Sequence, residues 1–186
     1  MSARQLATSL YGVWLLLRWD AAGFGLFERS FAGFCRSYAV AFAFLPVYAA
    51  HWLVTYDTAA SKTPLAVYLF TETMSYVMSW TVYPLAMIYV ARILDRDNRY
   101  FDYMVAYNWF QVAFVTMSLP ISMLANLGVL NAQAATFLSL VAFGAFFAYG
   151  TFLAWRALLV GPLTGFGLVL LDFLLSLLVR QVIALV

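Results

Sequence analysis

Two carboxylates and one guanidinium stand inside otherwise apolar runs: Glu72, Asp172 and Arg180. Ionisable groups are costly in such runs, so they mark places where ions, protons or polar solutes are handled. Each belongs to a stripe. Tyr68, Glu72, Ser75, Tyr76, Ser79 and Tyr83 fall on one helical face, and so do Asn108, Gln111, Ser118 and Ser122. Gly165, Asp172, Ser176 and Arg180 form a shorter third stripe. If the stripes face one another they make a polar seam, with Glu72, Ser75, Ser79, Asn108, Gln111, Asp172, Ser176 and Arg180 as its candidate lining. Two chemistries fit such a seam: interhelical hydrogen bonds that fix the packing, or a path for a polar solute or proton.

Helical rise sharpens individual roles. Arg180 lies roughly 27 Å along its run from Pro162, and Glu72 about 10 Å inside the start of its own. Both then fall in the same outer third, which predicts a Glu72–Arg180 ion pair; the alternative is that Arg180 snorkels to the surface. Asp172 sits nearer the middle, level with Gln111, and is expected to keep its proton or to pair with Gln111 or a hydroxyl. His51, near the end of another run, reads as an interfacial hydrogen-bonding residue, with proton relay as the alternative.

A second polar set surrounds the loop Arg92-Ile93-Leu94-Asp95-Arg96-Asp97-Asn98-Arg99. Arg36, Arg92, Asp95, Arg96, Asp97, Arg99 and Asp102 are its candidate members. Asp95 and Asp97 have the form of a divalent-metal pair, but carboxylates between arginines read more simply as a solvated salt-bridge cluster. Cys35 is the single cysteine and His51 the single histidine, which leaves no disulfide, no cysteine-cluster metal site and no two-histidine zinc motif. The two lie at opposite ends of one run, so no nucleophile–base pair forms. No catalytic residue, metal or cofactor is expected.

The elements that must position these residues follow from composition. The chain has 186 residues, 66% apolar and 10% charged, against about 45–50% and about 25% in soluble domains. That excludes a soluble globular domain, a disordered chain and a nucleic-acid binder built on basic patches. Five runs approach the ~20 residues needed to cross a bilayer as helices: Phe34–Val54, Leu65–Ala91, Tyr103–Leu124, Ala132–Leu158 and Pro162–Leu185. Thr63-Pro64, Asp102 as a helix cap, the polar hairpin Asn126–Asn131 and Gly161-Pro162 separate them. Pro46, Pro84 and Pro120 lie inside spans and are read as shape-giving kinks, with hinges as the alternative. Gly144 with Ala148, and Gly150 with Ala154, are small pairs one turn apart that allow close helix packing, within the chain or in a dimer.

The basic residues orient the set. Arg4, Arg18, Arg29, Arg36, Arg92, Arg96, Arg99 and Arg156 fall on one side, and Lys62 and Arg180 on the other. By the positive-inside rule the N-terminus is cytoplasmic and the C-terminus outside. Residues 1–30 form a separate segment. Leu6, Leu10, Val13, Trp14 and Leu17 recur at helical spacing without a convincing cleavage site, which favours an amphipathic interfacial helix over a signal peptide. Gly23 and Gly25 are expected to make a flexible turn into Phe27–Arg36, and residues 31–186 to form the five-helix domain. The expected fold is all-α: a polytopic bundle with an N-terminal interfacial helix. No internal repeat is visible, which disfavours a transporter of two inverted halves.

Two segments carry a family resemblance. Phe27-Glu28-Arg29-Ser30-Phe31-Ala32-Gly33-Phe34-Cys35-Arg36-Ser37-Tyr38 precedes Pro46-Val47-Tyr48, and Arg99-Tyr100 precedes Tyr107-Asn108-Trp109. This pattern resembles small bacterial five-span membrane proteins similar in layout to the Yip (Ypt-interacting protein) family. The longer cytoplasmic region of eukaryotic members, with its Asp-Leu-Tyr-Gly-Pro-like motifs, has no counterpart here beyond Gly161-Pro162, so a role in vesicle traffic does not carry over. The resemblance implies a non-enzymatic, helical, partner-binding membrane protein; the expected location is the cell (inner) membrane.

The leading expectation is therefore a scaffold or accessory subunit in contact with lipid and with other membrane subunits or copies of itself, and with no nucleic acid. The alternative is a small transporter or ion- or proton-conducting protein that uses the seam.

Overall fold

The computed structural model describes residues 2–56 and 63–184; Lys62 and Leu185 lie outside the described residues. Among the described residues seven α-helices form: α1 (Ala3–Leu17), α2 (Phe31–Ser37), α3 (Ala39–Thr55), α4 (Leu65–Ile93), α5 (Tyr100–Asn126), α6 (Ala132–Leu158) and α7 (Pro162–Ala184). Short 3-10 helices occupy Ala21–Leu26 and Asp97–Arg99, and no strand occurs among the described residues.

Among the described residues four helical segments are long and apolar enough to cross a membrane: Phe31–Thr55, which joins α2 to α3, then Asp97–Asn126, Ala132–Leu158 and Pro162–Ile183. They mark the chain as a multi-pass membrane protein. At 29 residues α4 is equally long but less apolar, because Thr71, Glu72, Thr73, Ser75, Ser79 and Thr81 interrupt its run. Of these, Glu72, Ser75 and Ser79 belong to the polar stripe.

The long helices close a ring. α5 packs between α3 and α6, α6 between α5 and α7, and α7 against α4; lighter contacts of α4 with α3 and α5 complete it. The near end of the bundle is where α5 and α7 begin, and the far end is where α3, α5 and α7 finish. The dry core gathers toward the near end. Met87 of α4, Met104 and Ala106 of α5, and Ala154 and Leu158 of α6 are fully buried there. α6 and α7 come close because side chains are missing where they cross. A Cβ on Gly165 would stand 2.9 Å from the Thr151 carbonyl oxygen, and one on Gly150 would stand 3.0 Å from Val169. Of the two small pairs, Gly150–Ala154 thus serves internal packing, whereas Gly144 has no neighbour within 4 Å.

Helix ends are set locally. The Asn131 side chain accepts from the Ala134 N–H at 2.8 Å and starts α6, and Leu159 at φ 54° ends it. α5 ends before Gly128 at φ 71°, which turns the chain into the hairpin. α5 has no side-chain cap: Arg99 holds the cap position, and Asp102 lies in the first turn instead. The interior prolines do not break their helices. Pro84 cannot donate to the Trp80 carbonyl, and the Tyr38 hydroxyl donates to that oxygen at 3.1 Å. The Tyr100 hydroxyl donates to the Pro84 carbonyl at 3.0 Å.

Residues 2–30 are docked on the bundle. A capping box between Ser2 and Gln5 starts α1. Val13 and Leu16 enter the core with Phe27, while Leu6, Leu10, Tyr11 and Trp14 stay exposed. The apolar residues expected to form one face thus divide between protein and surroundings. The Tyr149 hydroxyl of α6 donates to the Leu17 carbonyl at 2.9 Å, and Trp19 stacks on Tyr149 at 4.6 Å between ring centres. Gly23 is no flexible turn: it lies in the 3-10 helix, so close to α1 that a Cβ would stand 2.6 Å from the Gly12 carbonyl.

Candidate functional site: a polar chamber at the far end

A cavity of about 480 Å³ opens between α3, α4, α5 and α7 at the far end. Seven of the stripe residues that the sequence places on α4 and α7 line it: Tyr68, Glu72, Ser75, Tyr76 and Ser79 from α4, and Ser176 and Arg180 from α7. α5 adds Ser118 and Ser122, and α3 adds Tyr48, His51, Trp52 and Thr55. The α3 wall was missed in the sequence, although Tyr48, His51, Trp52 and Thr55 recur at i, i+3, i+4 and i+7, the spacing of one helical face.

The expected Glu72–Arg180 ion pair does not form. Among the described residues the ion pairs are Arg29–Asp102, Arg36–Glu28 and Arg99–Asp102. Glu72 and Arg180 instead line the same chamber without meeting, and Arg180 is exposed.

The hydroxyl groups have a consistent polarity. Ser75 donates to the Thr71 carbonyl at 3.0 Å, Ser79 to Tyr76 at 2.7 Å and Ser176 to Asp172 at 2.9 Å. With their protons bonded to the backbone, they keep acceptor lone pairs for the chamber. Ser122 and the His51 Nε2 lie 3.3 Å apart, while the buried His51 Nδ1 has no partner. The walls therefore offer serine acceptors and one carboxylate, with Tyr48, Tyr68 and Trp52 as neutral donors and the Arg180 guanidinium as the cationic one.

Asp172, Asn108 and Gln111 do not line this cavity. Asp172 lies one turn below Ser176, as Tyr83 lies one turn below Ser79, so its surroundings form the chamber floor. It is 6% exposed and accepts from the Tyr107 hydroxyl at 2.8 Å. Of the expected partners, a hydroxyl takes the role. The Tyr83 and Tyr103 hydroxyls bond to each other at 2.7 Å, and the Tyr83 and Tyr107 rings lie 4.9 Å apart. Tyr103 and Tyr107 carry a signal the stripe assignment passed over: with Gln111 they repeat at i, i+4 and i+8. Asn108 points elsewhere, donating to Ser37 Oγ at 2.8 Å, and Ser37 donates to the Phe34 carbonyl at 2.7 Å. It ties α5 to α2 and leaves the seam. The eight-residue seam thus separates into a chamber, an acid–tyrosine floor and a helix tie.

The near-end charge cluster is smaller than its sequence suggests. Asp102 accepts from Arg99 at 3.1 Å and lies 3.6 Å from Arg29. Arg36 does not join it, because Glu28, in the turn just before α2, takes its guanidinium. Arg96 donates to the Asp95 carbonyl at 2.8 Å, with Asp95 at φ 54°. That turn splays the loop, and Arg92, Asp95 and Asp97 enter no ion pair among the described residues. No group of three or more metal-ligating side chains occurs among the described residues.

Compared with family models, curated proteins and solved structures, the chain matches none of them. The likeness to the Yip family rests on the sequence segments alone.

Proposed function

We propose that this protein is a small, non-enzymatic membrane transporter that binds a polar solute of both charges in the far-end chamber. In this reading α4 is the fifth span, the near end and the N-terminus face the cytoplasm, and the chamber opens outside. One observation carries the reading: Glu72 and Arg180 face a common cavity and pair with no group among the described residues. Helix packing would be served by letting them neutralise each other. Two opposite charges held apart around a space fit a solute with an ammonium at one end and a carboxylate at the other. The Ser acceptors beside Glu72 suit ammonium N–H groups. Asp172, buried at the floor, is the group such a path meets next.

The test is uptake of labelled zwitterions, amino acids and betaine, into proteoliposomes. Wild-type uptake that falls about tenfold or more in both Glu72→Gln and Arg180→Gln is the expected result, as for loss of one charge-assisted contact. No uptake by the wild type, or equal uptake by all three proteins, removes the proposal.

A scaffold or accessory-subunit role is the second reading. The outward Gly144, with Phe137, Leu140 and Val141 exposed beside it, favours it. Cross-linking at Gly144→Cys in native membranes that captures neither a second copy nor another membrane protein counts against it.

A further inference from the structure

We propose that Arg29, Arg99 and Arg156 form a binding site for a phosphate ester group at the near end, separate from the chamber. The three guanidinium groups come from different elements: the turn before α2, the 3-10 helix before α5 and the last turn of α6. They line one cavity of about 350 Å³ together with Asp102, Phe24 and Leu159.

Charge counts decide what that cavity accepts. Three guanidinium groups face one carboxylate there. Asp102 is shared between Arg99 at 3.1 Å and Arg29 at 3.6 Å. A guanidinium carries five N–H donors, and a carboxylate accepts only a few of the ten that these two bring. Arg156 pairs with no carboxylate among the described residues; its guanidinium lies 5.3 Å from the Trp155 ring centre. The cavity is thus lined with donors in excess, of the planar type that matches phosphate oxygens in pairs. Asp102 acts as a positioning residue that fixes two of the arginines without neutralising the set.

Its place in the fold bears on the ligand. It lies where α5 begins and α6 ends, at the limits of two helices long and apolar enough to cross a membrane. Phe24 and the exposed Leu159 form an apolar side of the same cavity. A bilayer presents phosphate diesters next to apolar chains at that level. Free phosphate shares the chemistry of the headgroup and needs only the arginines.

Native mass spectrometry and nanodisc reconstitution separate these sources. Protein purified through phosphatidylcholine and phosphatidylglycerol mixtures is expected to retain one phosphatidylglycerol, with retention lowered about tenfold in Arg156→Gln and in Arg29→Gln. Arg92→Gln, which lies outside the cavity, is expected to leave it unchanged. Retention that millimolar inorganic phosphate does not displace supports the site with lipid as its source. Binding of inorganic phosphate alone, lost in the same variants, supports it with a soluble source. Neither ligand bound by the wild type, or equal retention by the wild type and both variants, overturns the proposal. A variant that does not fold is replaced by Arg156→Lys, which keeps the charge without the fork and is expected to bind at an intermediate level.

Discussion

Glu72 and Asp172 are both acids within long helices, yet their surroundings give them different work. Glu72 faces an open chamber, whereas Asp172 is buried and takes its hydrogen bond from Tyr107. Removing the Tyr107 hydroxyl leaves a buried carboxyl group without that donor. Tyr107→Phe is therefore expected to cost about 1–3 kcal/mol, read as a lower midpoint of thermal unfolding in detergent. Tyr11→Phe, at a residue 56% exposed, should leave the midpoint unchanged. Equal midpoints for both would show that the Asp172 contact contributes nothing. Residue type and spacing made Glu72, Asp172 and Arg180 legible as polar groups within apolar helices, because ionisable residues stand out in apolar runs. Their partners were not legible: a hydroxyl 65 residues away in sequence reaches Asp172, and no spacing rule relates the two.

At the scale of elements, ends were easier to read than contacts. Asn131, Gly161-Pro162 and the interior prolines act through neighbouring backbone, so their meaning is local. Asp102 was misplaced as a cap because the short 3-10 helix Asp97–Arg99 moves the start of α5 to Tyr100. Gly33 shows a contact that local rules do not reveal. It lies in the first turns of α2, and a Cβ there would stand 1.8 Å from the Glu28 carbonyl oxygen. Backbone, not a flexible side chain, is in the way. Gly33→Ala is expected to cost about 1–3 kcal/mol or more by displacing the turn that also holds Arg29 and the Glu28–Arg36 pair. Gly167→Ala, with nothing within 4 Å in α7, should be neutral or stabilise by up to about 1 kcal/mol. Denaturation of the two variants side by side checks this, and a Gly33→Ala protein as stable as Gly167→Ala would contradict it.

At the scale of the whole molecule the topology turns on α4, whose polar stripe makes it less apolar than its neighbours. If α4 crosses, the chain before it and the chain after it lie on opposite sides of the membrane. In a Cys35→Ser background, Thr63→Cys and Val129→Cys are expected to react with an impermeant maleimide on intact cells. Asn98→Cys is expected to react only after permeabilisation. Thr63→Cys and Asn98→Cys reacting alike would mean that α4 does not cross. The same ring of helices accounts for the uneven interior. The near end is filled by Met, Ala, Leu and aromatic side chains, and the far end carries serines and charges that do not fill the space between four helices.

Sequence alone determined that the chain is made for a membrane, since 66% apolar content with 10% charge does not suit a soluble surface, and that it is helical, since its apolar runs have the ~20-residue length of spanning helices. It also determined which helix faces are polar, because that depends only on the 3.6-residue period. Tertiary structure decided what those faces do. The ring order puts α3 opposite the α4 and α7 stripes, opens a chamber where an ion pair was expected, turns Asn108 toward Ser37 and brings three arginines from separate elements around Asp102. Which residues meet depends on which helices are neighbours, and neighbours are chosen by packing over the whole chain rather than by any local run of residues.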